Sequence, residues 1–250
     1  MSLGSSYGDG PNLREYPATL IVAGILDSIK ATPPYRFARV AKARLERWAF
    51  ERGDLLDTGI EPEELGDDAP EAHRLEPSHW GFLRRALRRC EVRPTDVFLD
   101  LGSGKGRVVW QAAHHPFSRV IGVEIAPERN AVARRNVERN RGRLACGEIE
   151  LVTGDAGSYT VPDDVTFIYL YSPFQGQLFR RVISNITESL DRNPREVTLI
   201  YANPEMAELI EECRRFDLVY VLKGLRPDTT ERSWVHVYSS RPAPHLAAPT

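Results

Sequence analysis

Residues 97–107, with the sequence VFLDLGSGKGR, decide the fold that we expect for this chain. A mostly apolar run is followed by glycines at alternate positions, and this order predicts a buried strand, a tight turn whose backbone amides face a ligand, and a helix. A nicotinamide-binding turn would read G-x-G-x-x-G, but Arg107 stands where its third glycine would fall. Asp100 would repel a pyrophosphate and could pair with an ammonium group. We therefore expect a cationic ligand without phosphate.

Strand and helix patterns alternate on both sides of this stretch. The predicted strands are 96–101, 119–124, 150–153, 165–171, 196–201, 216–222 and 233–238. The predicted helices are 79–90, 107–115, 127–141 and 177–190. This alternation is typical of an α/β domain in which helices cover both faces of a mostly parallel sheet.

The remaining segments differ in composition. Residues 1–12 are rich in Gly, Ser and Pro, and we expect them to be disordered. Residues 13–80 predict a cap of two helices, separated at Pro33–Pro34, followed by an acidic loop. We assign 81–240 to the ligand-binding domain and 241–250 to a tail rich in Pro and Ala.

Composition excludes several classes of protein. The 250 residues include 33 basic and 35 acidic side chains, a net charge of -2, which argues against a general polyanion binder and so against a nucleic-acid partner. The three cysteines are far apart and form no C-x-x-C pair, which argues against a zinc site or a disulfide framework and favours the reducing cytoplasm. The apolar run 20–26 is too short to cross a membrane. We expect no metal and no membrane partner.

The turn after residue 97 resembles the first motif of the class I S-adenosylmethionine-dependent methyltransferases, and later segments continue the resemblance over roughly residues 75–240. The resemblance implies a Rossmann-like α/β fold, with a sheet of about seven mostly parallel strands whose last strand is antiparallel. It also implies S-adenosyl-L-methionine as the cofactor.

Site residues follow from the same resemblance. Glu124, 24 positions after Asp100, would hold the ribose hydroxyls, and Asp155 would accept from the adenine amino group. Ile125 would pack on the adenine face. The full set of cofactor residues that the resemblance implies is Asp100, Gly102, Ser103, Gly104, Gly106, Glu124, Ile125, Asp155, Ala156 and Tyr171.

The strand 165–171 leads into Ser172, Pro173 and Phe174, where the family meets its acceptor. These residues are similar to the N/D/S-P-P-Y/F signature of amino-group methyltransferases, although one proline stands here instead of two. Residues 73–80 are similar to a segment of non-SET lysine methyltransferases. Arg74, Glu76 and His79 are therefore site candidates, with helix capping and surface roles as the alternative.

The reaction that this implies is an in-line methyl transfer in which positioning supplies much of the rate. A dedicated base is not required, and the candidates for one are Tyr171, His79 and Glu76, although Tyr171 could equally pack against the core or the cofactor. We expect a small-molecule or peptidic acceptor. Two alternatives stay open: a protein lysine N-methyltransferase, and a cofactor-binding scaffold or cyclase that transfers no methyl group. The oligomeric state is left open.

Overall fold

The computed structural model describes residues 56–58, 77–171, 176–224 and 234–240. All of them belong to one compact unit, Ala49–Thr250. Several sequence predictions lie outside the described residues: the disordered start at 1–12, the two cap helices, the acidic loop and the tail at 241–250. Those predictions, and the domain boundaries drawn from them, stay predictions.

Seven strands form one sheet in the described part of the chain, and their bounds are β1 Val97–Leu101, β2 Arg119–Glu124, β3 Glu148–Thr153, β4 Phe167–Tyr171, β5 Thr198–Ala202, β6 Phe216–Leu222 and β7 Val235–Ser240. Their spatial order is β3-β2-β1-β4-β5-β7-β6. Strands β1 to β5 pair in parallel, whereas β7 is antiparallel to both β5 and β6. The predicted sheet is therefore confirmed, including its antiparallel last strand.

Helices alternate with these strands, and their bounds are α1 Gly81–Leu87, α2 Arg107–Ala112, α3 Pro127–Asn140, α4 Gly176–Arg192 and α5 Ala207–Glu212. A 3₁₀ turn, Arg141–Arg143, follows α3. Helix α1 is shorter than the predicted 79–90, because the amides of Arg89 and Cys90 bond three residues back rather than four, which tightens the chain into turns. No helix in the described ranges is long and apolar enough to cross a membrane.

The sheet has an apolar layer on each face. On one face, α4 directs Phe179, Val182 and Ile186 onto the central strands, with all three side chains at most 1% exposed. On the other face, α1 and α2 pack against residues such as Phe98 and Val120. Burial on both faces is what a parallel sheet requires, and it explains the nearly continuous apolar runs of β1 and β4.

The topology fixes where a ligand can bind. Strands β2 and β4 lie on either side of β1, so the strand order reverses direction at β1. A crevice forms at such a point, outside the carboxyl ends of the strands. Those ends carry Leu101, Glu124, Thr153 and Tyr171, and the segments that follow them belong to the candidate site.

Candidate cofactor site

The glycine turn is tied to the end of β2. The amides of Gly102 and Ser103 both donate to the carbonyl oxygen of Val123, at 2.8 and 2.9 Å. Gly102, Gly104 and Gly106 have φ angles of 84°, 54° and 81°, in the left-handed region that side chains disfavour. The alternating glycines therefore serve a backbone that turns sharply from β1 into α2.

Asp100 is buried in β1, one residue before the carboxyl end of the strand. Its register partners are Gly122 on β2 and Tyr169 on β4, and it is 3% exposed. Among the described residues, its Oδ2 atom has no hydrogen-bond partner. Burial, with a further contribution from the charge of Glu124, raises the pKa of Asp100 well above its usual range. A buried acceptor that lacks a donor fits a ligand that brings a cationic N–H group.

Glu124, the last residue of β2, is hydrogen-bonded to the backbone of the glycine turn. Its Oε2 accepts from the amide of Gly104 at 2.8 Å, and its Oε1 accepts from the amide of Ala126 at 3.0 Å. The side chain is buried, and Arg129 Nη1 lies 3.9 Å from Oε1. Each carboxylate oxygen can accept a second hydrogen bond, so Glu124 can hold the turn and still accept from two ligand hydroxyls.

The next strand end carries the residues predicted for the adenine. Asp155 follows β3, and its Oδ1 accepts from the amide of Gly157 at 2.9 Å. Ala156 beside it is 7% exposed, whereas Ile125 is 58% exposed, an unusual exposure for so large an apolar side chain. An exposed isoleucine next to the buried Glu124 is suited to cover the face of a flat ring.

Arg107 begins α2 directly after the turn and holds two distant segments. Its Nε donates to Thr58 Oγ1 at 2.9 Å, its Nη2 to the Thr58 carbonyl at 3.1 Å, and its Nη1 to the Ser78 carbonyl at 3.0 Å. The guanidinium lies 4.8 Å from the centre of the Trp80 ring and is buried. Leu56 and Trp80 pack with Trp110 of α2 in a small apolar cluster, which attaches the same two segments to the domain.

A cleft lies between these parts. The residues that line it are Thr58, Pro77, Ser78, Asp100, Gly102, Ser103, Gly104, Lys105, Arg107, Val108, Tyr169 and Tyr171. The Ser78 hydroxyl is hydrogen-bonded to that of Tyr169, and burial raises the pKa of Tyr169 well above its usual range. Thr58, Ser78 and Arg107 form a wall of this cleft: the sequence analysis singled out the segment 73–80 without naming Ser78, and it missed Thr58 and Arg107 as lining residues. Tyr169 could have been found, because residues two apart in a strand face the same side, as Tyr169 and Tyr171 do.

Five predicted cofactor residues line the cleft itself: Asp100, Gly102, Ser103, Gly104 and Tyr171. The other predicted positions lie around it. Gly106 caps α2 behind the turn, and Glu124, Ile125, Asp155 and Ala156 follow β2 and β3 at the same edge.

Of the residues predicted to lie near the acceptor, the structure describes only some. His79 is exposed, and its Nδ1 accepts from the Gly81 amide at 3.0 Å, where α1 begins. This contact satisfies a backbone amide in the first turn of α1, and the site role of His79 stays a prediction. Arg74, Glu76, Ser172, Pro173 and Phe174 lie outside the described residues. The described residues contain no group of three His, Cys, Asp or Glu side chains able to hold a metal ion.

Residues 77–160 match the family model of the histone methylation protein DOT1. A cobalt-precorrin-6B C(15)-methyltransferase of Salmonella typhimurium is 36% identical over 72 residues, which cover 28% of this chain and 35% of that enzyme. The chain thus spans about a third of that relative's length. A protein-lysine N-methyltransferase of Saccharolobus islandicus is 29% identical over 130 residues, covering 48% of this chain and 81% of that enzyme.

Solved structures share the fold. A glycopeptide N-methyltransferase in complex with S-adenosylmethionine aligns with a TM-score of 0.50 and 14% identity, over 66% of this chain and 87% of that one. TrmN from Thermus thermophilus aligns with a TM-score of 0.50 and 20% identity, over 70% of this chain and 52% of that one. Together with the sheet order and the motif positions, these matches support a class I S-adenosylmethionine-dependent methyltransferase.

Proposed function

We propose that the chain binds S-adenosylmethionine in the cleft and transfers its methyl group to an amino group, with a protein lysine as the first candidate acceptor. The observation that carries the cofactor assignment is Asp100 Oδ2, a buried acceptor without a donor among the described residues, beside the glycine turn. The ammonium group of the cofactor's methionine end would supply that donor. The backbone of Gly102 and Gly104 would lie along the same end.

The other end of the cofactor would follow β2 and β3. Glu124 would accept from the ribose hydroxyls with the lone pairs that its two backbone contacts leave over. Asp155 would accept from the adenine amino group, and the exposed Ile125 would cover the ring. This arrangement repeats the general rule that ligands bind at the carboxyl ends of parallel strands.

The side chains of the cleft favour catalysis by positioning. S-adenosylmethionine supplies a methyl group on a sulfonium, which is a good leaving group, so alignment of the acceptor accounts for much of the rate. Burial raises the pKa of Tyr169 further above neutral pH, so its hydroxyl keeps its proton and is a poor base. Tyr171, at the end of β4 and half-buried, is the described residue best placed to meet an acceptor, with His79 and Glu76 as further candidates.

The acceptor assignment rests on different support from the cofactor assignment. The DOT1 match ends at residue 160, before Ser172–Phe174, so it supports the cofactor half of the site more than the acceptor half. The archaeal protein-lysine methyltransferase matches over a longer stretch and supports a lysine acceptor. A small-molecule or peptidic acceptor is the second candidate, favoured by the corrin methyltransferase from Salmonella. We also propose a cytoplasmic location, because the three cysteines are far apart in the sequence and form no C-x-x-C pair.

Calorimetric titration tests the cofactor. The protein is titrated with S-adenosylmethionine, S-adenosylhomocysteine and NADH, with Glu124→Ala as the control variant. We expect micromolar binding of both sulfur nucleosides, lost in the variant, and no binding of NADH. Absence of binding by the wild-type protein would refute the proposal.

Transfer from labelled S-adenosylmethionine to a cell extract then tests the acceptor. The label is counted in precipitated protein and in small molecules separately. Label in protein, stable to base and recovered as methyl-lysine, supports the first candidate, and label confined to small molecules supports the second. Cofactor binding without any transfer would instead favour the scaffold or cyclase alternative.

A further inference from the structure

A single guanidinium joins three separate stretches of the chain at the cleft. Arg107 is the first residue of α2, and three hydrogen bonds that it makes to described residues reach Thr58, 49 positions earlier, and Ser78, 29 positions earlier. The side chain is 8% exposed. A charge that is so deeply buried costs free energy unless hydrogen bonds compensate for it, and here those bonds go to residues that line the cleft.

The two segments held by Arg107 form part of the wall of the cleft. Thr58 and Ser78 line it together with the glycine turn. Ser78 is held from two directions, because its carbonyl accepts from Arg107 and its hydroxyl bonds to Tyr169 on β4. Thr58 is held by both its hydroxyl and its carbonyl. Asn136 also holds the Thr58 segment, through both backbone groups of Asp57, but among these contacts Arg107 alone bonds to Thr58 and Ser78 together.

The geometry requires arginine rather than any cation. Three N–H groups of one planar fork point at three oxygens, and the Trp80 ring, 4.8 Å away, limits how the plane can tilt. A lysine has a single nitrogen on a flexible stem and cannot span Thr58 and Ser78 in the same way. Arg107, which stands where the dinucleotide-binding pattern has its third glycine, thus holds Thr58 and Ser78 in this fold.

We infer that Arg107 is a positioning residue of the cofactor site: by holding Thr58 and Ser78 as the wall of the cleft, it sets the affinity for the cofactor. It acts through these two residues rather than on the methyl group that is transferred. The inference rests on the proposed function, because it concerns how that cofactor is held.

The test compares Arg107→Lys with Arg195→Lys. Arg195 is a matched control, since its guanidinium also bonds to several backbone carbonyls, those of Pro162, Val165 and Ser189, but before β5 at the opposite edge of the sheet. Both substitutions should lower the stability measured in urea. Affinity for S-adenosylhomocysteine, measured by calorimetry, should fall at least about tenfold in Arg107→Lys, because charged hydrogen bonds are lost, and stay within about twofold in Arg195→Lys.

A second pair of variants keeps the test decisive if Arg107→Lys does not fold. Thr58→Val removes the hydroxyl that accepts from Nε and should weaken S-adenosylhomocysteine binding about fivefold, whereas Thr58→Ser keeps that acceptor and should bind like the wild type. In the Arg107→Lys background, Thr58→Val should have little further effect, because the interaction is already lost.

Two results would overturn the inference. One is wild-type affinity in Arg107→Lys, and the other is equal loss of affinity in Thr58→Val and Thr58→Ser. Either result would leave the proposed function intact, provided that the wild-type protein binds S-adenosylhomocysteine. If the wild-type protein binds neither this ligand nor S-adenosylmethionine, the proposed function falls and the positioning role falls with it.

Discussion

Gly106 in the glycine turn has no room for a single added methyl group. Its φ angle is 81°, and an added Cβ would lie 2.9 Å from the Cβ of Ala133 and 3.3 Å from its Cα. Ala133 is fully buried on α3, so neither helix can easily move away. Gly106→Ala therefore forces both an unfavourable backbone conformation and an overlap between α2 and α3.

The expected cost combines these two effects. A side chain in the left-handed region costs about 1–2 kcal/mol, and overpacking a filled site costs about 1–3 kcal/mol. The lower entropy of the unfolded alanine variant returns about 0.4–1 kcal/mol. We expect the free energy of unfolding to fall by about 1–4.5 kcal/mol, a large share of the stability of a typical domain.

Urea denaturation followed by circular dichroism measures this change, with Gly142→Ala as the matched control. Gly142 lies in the 3₁₀ turn, where an added Cβ meets nothing within 4 Å, so its substitution should leave stability unchanged or raise it by up to about 1 kcal/mol. Adding Ala133→Gly to Gly106→Ala removes the overlap but not the backbone strain, and should recover part of the loss. Equal effects of Gly106→Ala and Gly142→Ala would refute the reasoning.

Three further predictions concern polar side chains of the site. Glu124→Gln replaces an oxygen that accepts from a backbone amide by an NH₂ group, so it should weaken S-adenosylhomocysteine binding by at least about tenfold in calorimetry, and unchanged affinity would contradict the role of Glu124 in holding the turn. Because the pKa of Asp100 is raised in the folded protein, the native state holds the proton more tightly than the unfolded chain. Its contribution to stability is therefore fully present below the ordinary aspartate pKa and is lost as the pH rises through the raised value. Asp100→Asn should flatten that part of the pH profile of urea unfolding, and an identical slope in wild type and variant would refute the assignment. Tyr169→Phe removes the hydroxyl bonded to Ser78 and should cost about 0.5–1.5 kcal/mol of stability while the pH profile of methyl transfer stays the same; a shifted profile would mean that Tyr169 takes part in proton transfer.

The local part of the fold could be predicted because its signals are short in sequence. The turn after β1 needs left-handed residues at three alternate positions, and glycine supplies them, so the motif is visible in residues 97–107 alone. The strands were found by their apolar runs: β2 and β6 have the predicted bounds, and the ends that moved in the other strands shifted by one or two residues. β3 begins at Glu148, rather than at the predicted 150, because Glu148 pairs with Arg119 of β2. Such pairing depends on a neighbouring strand that lies elsewhere in the sequence, so the residues of β3 alone do not reveal it.

Long-range features could not be read in the same way. The six residues of α5 are too few to display a helical period, and the sequence prediction missed this helix. The wall of the cleft depends on contacts between Arg107 and residues 29 and 49 positions away. The sequence marked Arg107 as a departure from a glycine pattern, but only the folded chain connects it with Thr58 and Ser78.

The aromatic contacts behind the cleft have a practical consequence. Trp80 lies under the guanidinium of Arg107 and meets Trp110 edge-on, with ring centres 5.7 Å apart, while His114 lies 4.1 Å from the Trp110 ring. Indole emission depends strongly on nearby charges and rings, so two of the chain's four tryptophans form an intrinsic optical probe beside the cleft. Movements of that wall can then be followed in real time by stopped-flow mixing, without attaching a dye.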